Sequence, residues 1–287
     1  MKYGVWFVRL IFAAWMIPAG VNHFIPLFPQ PLGTQPLSKE LFLGLFDSHL
    51  FDLVKTVELI AGIGALTGFY LPLVLVICMP VSFCVWYWDT PLEGWGSIAS
   101  YYGGSVLVCN VLLCLAYVRT YRVEFSFRAK PRPIGPADGA SAQERLVLAG
   151  RLIFGAWMLV NGISYFFISL YPLPAGHAPL AVQLMTGLVD SRLLDVVMGI
   201  ELVAGALILA GVFVPLALCV VMPLSVCALF WGVILEHRPV SAILALAAFA
   251  LNGLLMLAYI DYYKGVLQRR ALAVGETAVG EAAVGEA

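Results

Sequence analysis

The stretch GLFDSHLFDLVKTVELIAG at residues 44–62 returns as GLVDSRLLDVVMGIELVAG at residues 187–205. Asp47, Ser48, Asp52, Glu58 and the pair Ala61-Gly62 come back 143 positions later as Asp190, Ser191, Asp195, Glu201 and Ala204-Gly205. Polar residues set in apolar surroundings do not keep step by chance, so the chain reads as two related halves. Outward from this stretch the correspondence continues. Arg9–Met16 (RLIFAAWM) recurs as Arg151–Met158 (RLIFGAWM), Met79-Pro80 as Met222-Pro223, Cys84 as Cys227, Asn110 as Asn252, and Tyr117 as Tyr259.

The surroundings of the repeat decide its solvent. Of 287 residues, 62% are hydrophobic and 11% charged, against roughly a quarter charged in a soluble domain. That is too little charge to cover a water-facing surface of this size. The net charge of -1 gives no basic field, which excludes nucleic acid as a partner. Charged residues are missing between Arg9 and Lys39, Glu58 and Asp89, Glu93 and Arg119, Arg151 and Asp190, Glu201 and Glu236, and Arg238 and Asp261. A bilayer span takes about 20 apolar residues. The run after Glu58 follows an apolar lead-in from Leu50 and breaks at Gly68-Phe69-Tyr70-Leu71-Pro72; its counterpart breaks at Gly211-Val212-Phe213-Val214-Pro215. Eight spans are expected, at 5–25, 49–68, 71–88, 97–118, 148–168, 192–211, 214–232 and 240–260. The first lacks a small-residue cleavage site and resembles an internal helix, so it is expected to stay as a span instead of acting as a signal peptide.

The fold class expected is therefore an all-α polytopic membrane protein, eight transmembrane helices as two four-helix repeats of parallel orientation. An even number of spans per half gives both halves one orientation. Lys2 and Arg9, seven basic residues between Arg119 and Arg151, and Lys264, Arg269 and Arg270 place twelve of the sixteen Lys and Arg on one side. By the positive-inside rule both termini are cytoplasmic. Residues 1–122 form the first repeat, 123–147 a Pro-rich cytoplasmic linker, 148–264 the second repeat, and 265–287 a low-complexity tail expected to be disordered. Segments 26–47 and 169–190 are expected at the outer surface as partly interfacial structure.

The candidate site residues are the polar groups set in the spans. Glu58 and Glu201 lie about ten residues into their helices, near the bilayer midplane, where a carboxylate must be paired, protonated or facing a cavity. Lys55 stands three residues before Glu58 on the same face, a spacing that permits an ion pair; Met198 takes that place before Glu201. Asn110 and Asn252 are the alternative, structural partners for the two carboxylates. Asp52 and Asp195 lie nearer the outer surface. His23, at the end of the first span, is placed to approach Asp52, and its counterpart is Tyr165; interfacial capping is the commoner role for such groups. Trp86, Tyr87, Trp88 and Trp95 form an outer aromatic belt or a stacking surface. The six cysteines fall inside helices with no metal or redox spacing and read as small apolar residues. The four histidines are unpaired along any helix, so no haem and no metal is expected. Pro80 and Pro223 free a backbone carbonyl mid-span.

Gly20-Val21-Asn22-His23-Phe24, the Pro-rich segment Ile25–Pro36, Val54–Gly62 and Gly68-Phe69-Tyr70-Leu71-Pro72-Leu73 together resemble the DoxX-like family of small four-helix membrane proteins, here duplicated. The resemblance covers about residues 1–122 and, more weakly, 148–264. It departs in the second half at Tyr165 and Met198, which favours the first half for any site. It implies a bacterial inner-membrane protein with a loose association with quinone-linked oxidoreductases. The expected function is an auxiliary subunit of a membrane redox complex, or one binding a quinone-like lipid at Glu58, Lys55, His23, Asp52, Asn110 and Glu201. A small-molecule or ion transporter using the midplane carboxylates, and a scaffold without ligand, are the alternatives.

Overall fold

The computed structural model describes residues 2–132, 137–172 and 176–274. Most of these are helical, with no strand among them. In chain order the helices are α1 (Lys2–Phe24), α2 (Pro36–Asp47), α3 (Leu50–Thr67), α4 (Leu71–Tyr87), α5 (Ile98–Ala116), the single turn α6 (Val118–Tyr121), α7 (Ala137–Phe166), α8 (Pro179–Asp190), α9 (Leu193–Ala210), α10 (Val214–Phe230) and α11 (Pro239–Ala258). A wider π-helical turn extends α4 over Trp88–Leu92 and α10 over Trp231–Leu235.

Seven helices among the described residues are long and apolar enough to cross a membrane, which makes the chain a multi-pass, all-α membrane protein. They are α1, α4, α5, α7, α9, α10 and α11. The expected span that stands apart is α3. It matches α9 in length, but Asp52, Lys55 and Glu58 interrupt its apolar surface. The segments expected at the outer surface contain the 12-residue helices α2 and α8, each opened by a proline in its first turn, where a missing N–H costs nothing. The breaks expected before α4 and α10 use left-handed residues: Gly68 at φ 78 and Tyr70 at φ 47, Gly211 at φ 73 and Phe213 at φ 50.

Two compact units divide the chain, and their borders differ from the boundaries expected from the repeat. Among the described residues the first comprises 2–31, 53–122 and 265–274; the second comprises 32–52, 123–132, 137–172 and 176–264. The first unit packs Phe12, Ala65, Leu71, Leu75 and Leu113 at its centre, and the second packs Phe154, Ile208, Val214, Leu218 and Tyr259. In the first unit α1 and α3 approach closely at Gly62, where a Cβ would stand 2.7 Å from Ile17 Cγ1. Gly205 admits the backbone of Leu159 in the same way between α7 and α9. Small residues serve this purpose in membranes, where packing and not water drives helices together.

The differences from the expected borders have a specific cause. The segment after α11, read as tail, folds onto the first unit. Arg269 O accepts from Tyr70 N (3.0 Å), Val274 N donates to Ala116 O (2.8 Å), and Val266 and Ala273 are buried. The segment after α6, read as exposed linker, covers the second unit in the same manner. Phe127 O accepts from Phe213 N (3.2 Å), Arg132 N donates to Ala258 O (2.7 Å), and Glu124 and Ala129 are buried. Each unit is thus closed by the segment that follows the other half in sequence. Residues 275–287 of the expected tail lie outside the described residues. So do 133–136 of the expected linker, and α7 begins at Ala137, ahead of residue 148.

Candidate functional site

In the first unit, Lys55 Nζ lies 2.8 Å from Glu58 Oε2, with side chains 10% and 3% exposed. The i,i+3 spacing on α3 brings the two together, and burial favours the pairing, because an isolated buried charge costs several kcal/mol. The π-helical turn adds Asp89, Thr90 and Glu93, all buried. Asp89 is within electrostatic reach of both Lys55 and Glu93. Gly103 on α5 admits this turn: a Cβ there would stand 2.6 Å from Asp89 Oδ2 and 3.0 Å from Trp86 Cα. Lys55 thus has Glu58 as its ion-pair partner and Asp89 within electrostatic reach, with Glu93 beside Asp89. Trp86 meets Trp95 edge-to-face at 6.4 Å beside them, and Trp15 meets Tyr102 at 4.9 Å.

Asn110 belongs to a different polar layer. Its Nδ2 donates to Ser82 Oγ (2.9 Å), its Oδ1 faces Cys114 Sγ (3.6 Å), and Ser82 in turn contacts Cys78 Sγ at 3.7 Å. Asn252 repeats the bond to Ser225 (3.0 Å), so these asparagines tie α5 to α4 and α11 to α10. They are interhelical fasteners, and the partners of the carboxylates lie elsewhere.

In the second unit Glu201 Oε2 accepts from Asn161 Nδ2 of α7 (2.9 Å), and Asn161 Oδ1 accepts from Tyr171 OH (2.5 Å). Burial raises the Tyr171 hydroxyl above its ordinary value, with Glu201 adding to the shift. Tyr165, the counterpart of His23, donates to Asp195, which Arg192 also approaches at 3.6 Å. Glu236, the counterpart of Glu93, is buried and held by His177 through both its backbone N–H (3.0 Å) and Nδ1 (2.5 Å).

At the start of α3 Asp52 meets His49 Nδ1 at 3.2 Å, and both side chains are open. His23 packs edge-on against Phe24 at 5.0 Å. Beside it Asn22 Oδ1 accepts from the N–H groups of Leu27 (2.8 Å) and Phe28 (2.7 Å), which is loop capping. Of the six candidates, Lys55 and Glu58 are brought together; Asn110 and Glu201 occupy separate networks, and Asp52 and His23 have local partners. Asp89, Glu93, Asn161, Tyr171, His177 and Glu236 were missed. The recurrence of Glu93 as Glu236, at the borders of the uncharged runs, was the signal for that pair. None of the six cysteines forms a disulfide, and no group of three metal-ligating side chains occurs among the described residues. No family model, curated protein or solved structure matches the chain.

Proposed function

We propose that the chain is a duplicated DoxX-like protein of the bacterial inner membrane, with eight spans and both termini cytoplasmic. In this reading α3 is the eighth span, its charges paired inside the bundle, and the first half binds the head group of a quinone-like lipid on behalf of a membrane redox complex. The observation that carries the reading is the Lys55–Glu58 pair with Asp89 and Glu93 beside it. Such a group fits a quinone head in three respects. Lys55 Nζ can donate to a ring oxygen, the carboxyls can hold the protons of a reduced ring, and Trp86 and Trp95 offer flat apolar surface. A quinone, when bound, supplies two-electron, two-proton redox chemistry; the chain's own residues bind, orient and hold protons.

Purification in native lipid followed by extraction tests this. The wild type retains quinone, and Glu58→Gln loses it while still folding. Retention that is indifferent to Glu58 sinks the reading. Reporter fusions at Lys130 and beyond Arg270 are expected to read cytoplasmic, and those near Pro36 and His177 periplasmic.

The excess of carboxyls over ammonium favours one second reading, a proton-coupled transporter of a small molecule. Proton uptake by proteoliposomes that is lost in Glu58→Gln, without any bound quinone, would select it. A redox partner without either would leave a scaffold.

A further inference from the structure

The basic end of the second unit holds a cavity of about 340 Å³ lined by Lys130, Glu144, Arg151, Val147, Leu148 and Tyr259. It belongs to the second unit alone and takes no part in the carboxylate site. Its cations come from two directions. Lys130 is supplied by the strap that closes the unit, and Arg151 by α7 close to where that helix becomes apolar.

Arg151 is the informative residue. Its guanidinium lies over the turn at Gly211, where a Cβ would stand 3.1 Å from either terminal nitrogen. Its Nε is buried and has no hydrogen-bond partner among the described residues. The corresponding arginine of the first unit is fully engaged: Arg9 Nε donates to Ala65 O at 2.8 Å and the guanidinium stacks on Trp6 at 4.0 Å. The first unit also has Leu272 where the second has Lys130. One sequence therefore offers both versions of the site, one with its arginine bonded to the protein and its lysine replaced, the other with both cations lining a cavity.

A buried N–H without an acceptor is rare in native structures, and a water or an ion is one way of meeting it. The guanidinium fork matches the oxygens of a phosphate, with which it bonds in two parallel contacts. Lys130 adds a point charge at the exposed rim. Val147, Leu148 and Tyr259 add apolar lining, and Glu144 an acceptor. Cationic and apolar lining together suit a phospholipid, which joins a phosphate to hydrocarbon chains, and basic pockets between membrane helices hold such head groups. We infer that this cavity binds the phosphate ester of an anionic phospholipid, with Glu144 accepting from a head-group hydroxyl.

The test uses the full chain delipidated in dodecyl maltoside, with phosphatidylglycerol, phosphatidylcholine or inorganic phosphate added, read by native mass spectrometry and by the unfolding midpoint. Phosphatidylglycerol is expected to stay bound at one per chain and to raise the midpoint by about 2 °C or more. Phosphatidylcholine, whose trimethylammonium cannot donate to Glu144, is expected to do less. Arg151→Gln and the milder rim variant Lys130→Gln both lose most of that response. Arg9→Gln lowers the midpoint under all conditions but keeps the response to phosphatidylglycerol. An equal response to inorganic phosphate alone supports the site but assigns it to the free anion. Wild type unmoved by either ligand, or a Lys130→Gln protein that responds like wild type, overturns the inference.

Discussion

Glu58 and Glu201 stand at the same helical position in the two halves, and the protein satisfies them from opposite directions. Glu58 takes an ammonium from its own helix, Lys55 at 2.8 Å. Glu201 has Met198 in that place and takes an amide from the neighbouring helix, Asn161 at 2.9 Å, where the first half has Ala19. The two substitutions compensate: a polar partner lost on one helix is regained on another. A related change appears at Glu93 and Glu236, where the second half recruits His177; the straps differ otherwise, with Glu124 of the second unit buried at the place of Val266 in the first. A buried carboxyl persists in each half while the charge around it is redistributed, and only the first half keeps a lysine with it. The proposed quinone head-group site uses that lysine.

The largest effect that can break this comparison is expected at Glu58. Glu58→Gln takes away the carboxylate 2.8 Å from the Lys55 ammonium, and breaking a buried pair costs about 3–5 kcal/mol, which thermal unfolding in detergent will measure. Lys55→Met restores part of the loss. Adding Ala19→Asn to the Lys55→Met protein rebuilds the arrangement of the second half around Glu58 and should recover further stability. If Glu58→Gln is tolerated as well as Glu201→Gln, the Lys55–Glu58 pair is peripheral.

The straps give the next effect, and it depends on pH. Burial raises the Glu124 carboxyl from 4.5 to about 7, and its Oε1 has no partner among the described residues. Between those values the folded protein holds a proton that the unfolded chain releases. Stability is therefore full below the ordinary carboxylate range, falls as the pH rises, and the loss is complete above about 7. The linkage is worth about 3 kcal/mol. Glu124→Val, which copies Val266 of the first unit, is expected to flatten this slope and stabilise the protein at pH 8. An unchanged slope would mean that the carboxyl is hydrated.

A smaller effect concerns the second half. Glu201→Gln keeps an acceptor for Asn161, whereas Asn161→Ala removes the donor, so the latter should cost more, by about 1–2 kcal/mol. A reversed order would mean that Tyr171, and not Asn161, holds the carboxyl. The smallest effect is expected at Cys84 and Cys227, equivalent positions whose side chains face outward; replacing either by Ala should stay within about 0.5 kcal/mol.

What could be read from the residues follows the range of the interaction. The breaks before α4 and α10 were legible because Gly68-Phe69-Tyr70 and its counterpart announce themselves locally, and so was the Lys55–Glu58 pair, three residues apart on one helix. The bond between Asn161 and Glu201 was not, because it depends on which faces of α7 and α9 meet. His177 and Glu236 are 59 residues apart and come together only through the fold. In the sequence Asp89 and Glu93 read as borders of apolar runs, since nothing in those runs announces a π-helical turn that carries them inward. The straps were hidden by composition: Val266 and Ala273 sit in a segment that looks featureless until Tyr70 and Ala116 receive it.

Those straps also set an order of events during synthesis. Residues 1–122 leave the ribosome with the backbone groups of Tyr70 and Ala116 unpaired, and their partners Arg269 and Val274 are the last described residues to be made. At roughly 5–20 residues per second the first half waits about 10–30 s for its closure. A stop codon just before residue 265 would leave the second half with its own strap and uncover the first, so the damage from a late truncation falls on the part of the chain made earliest.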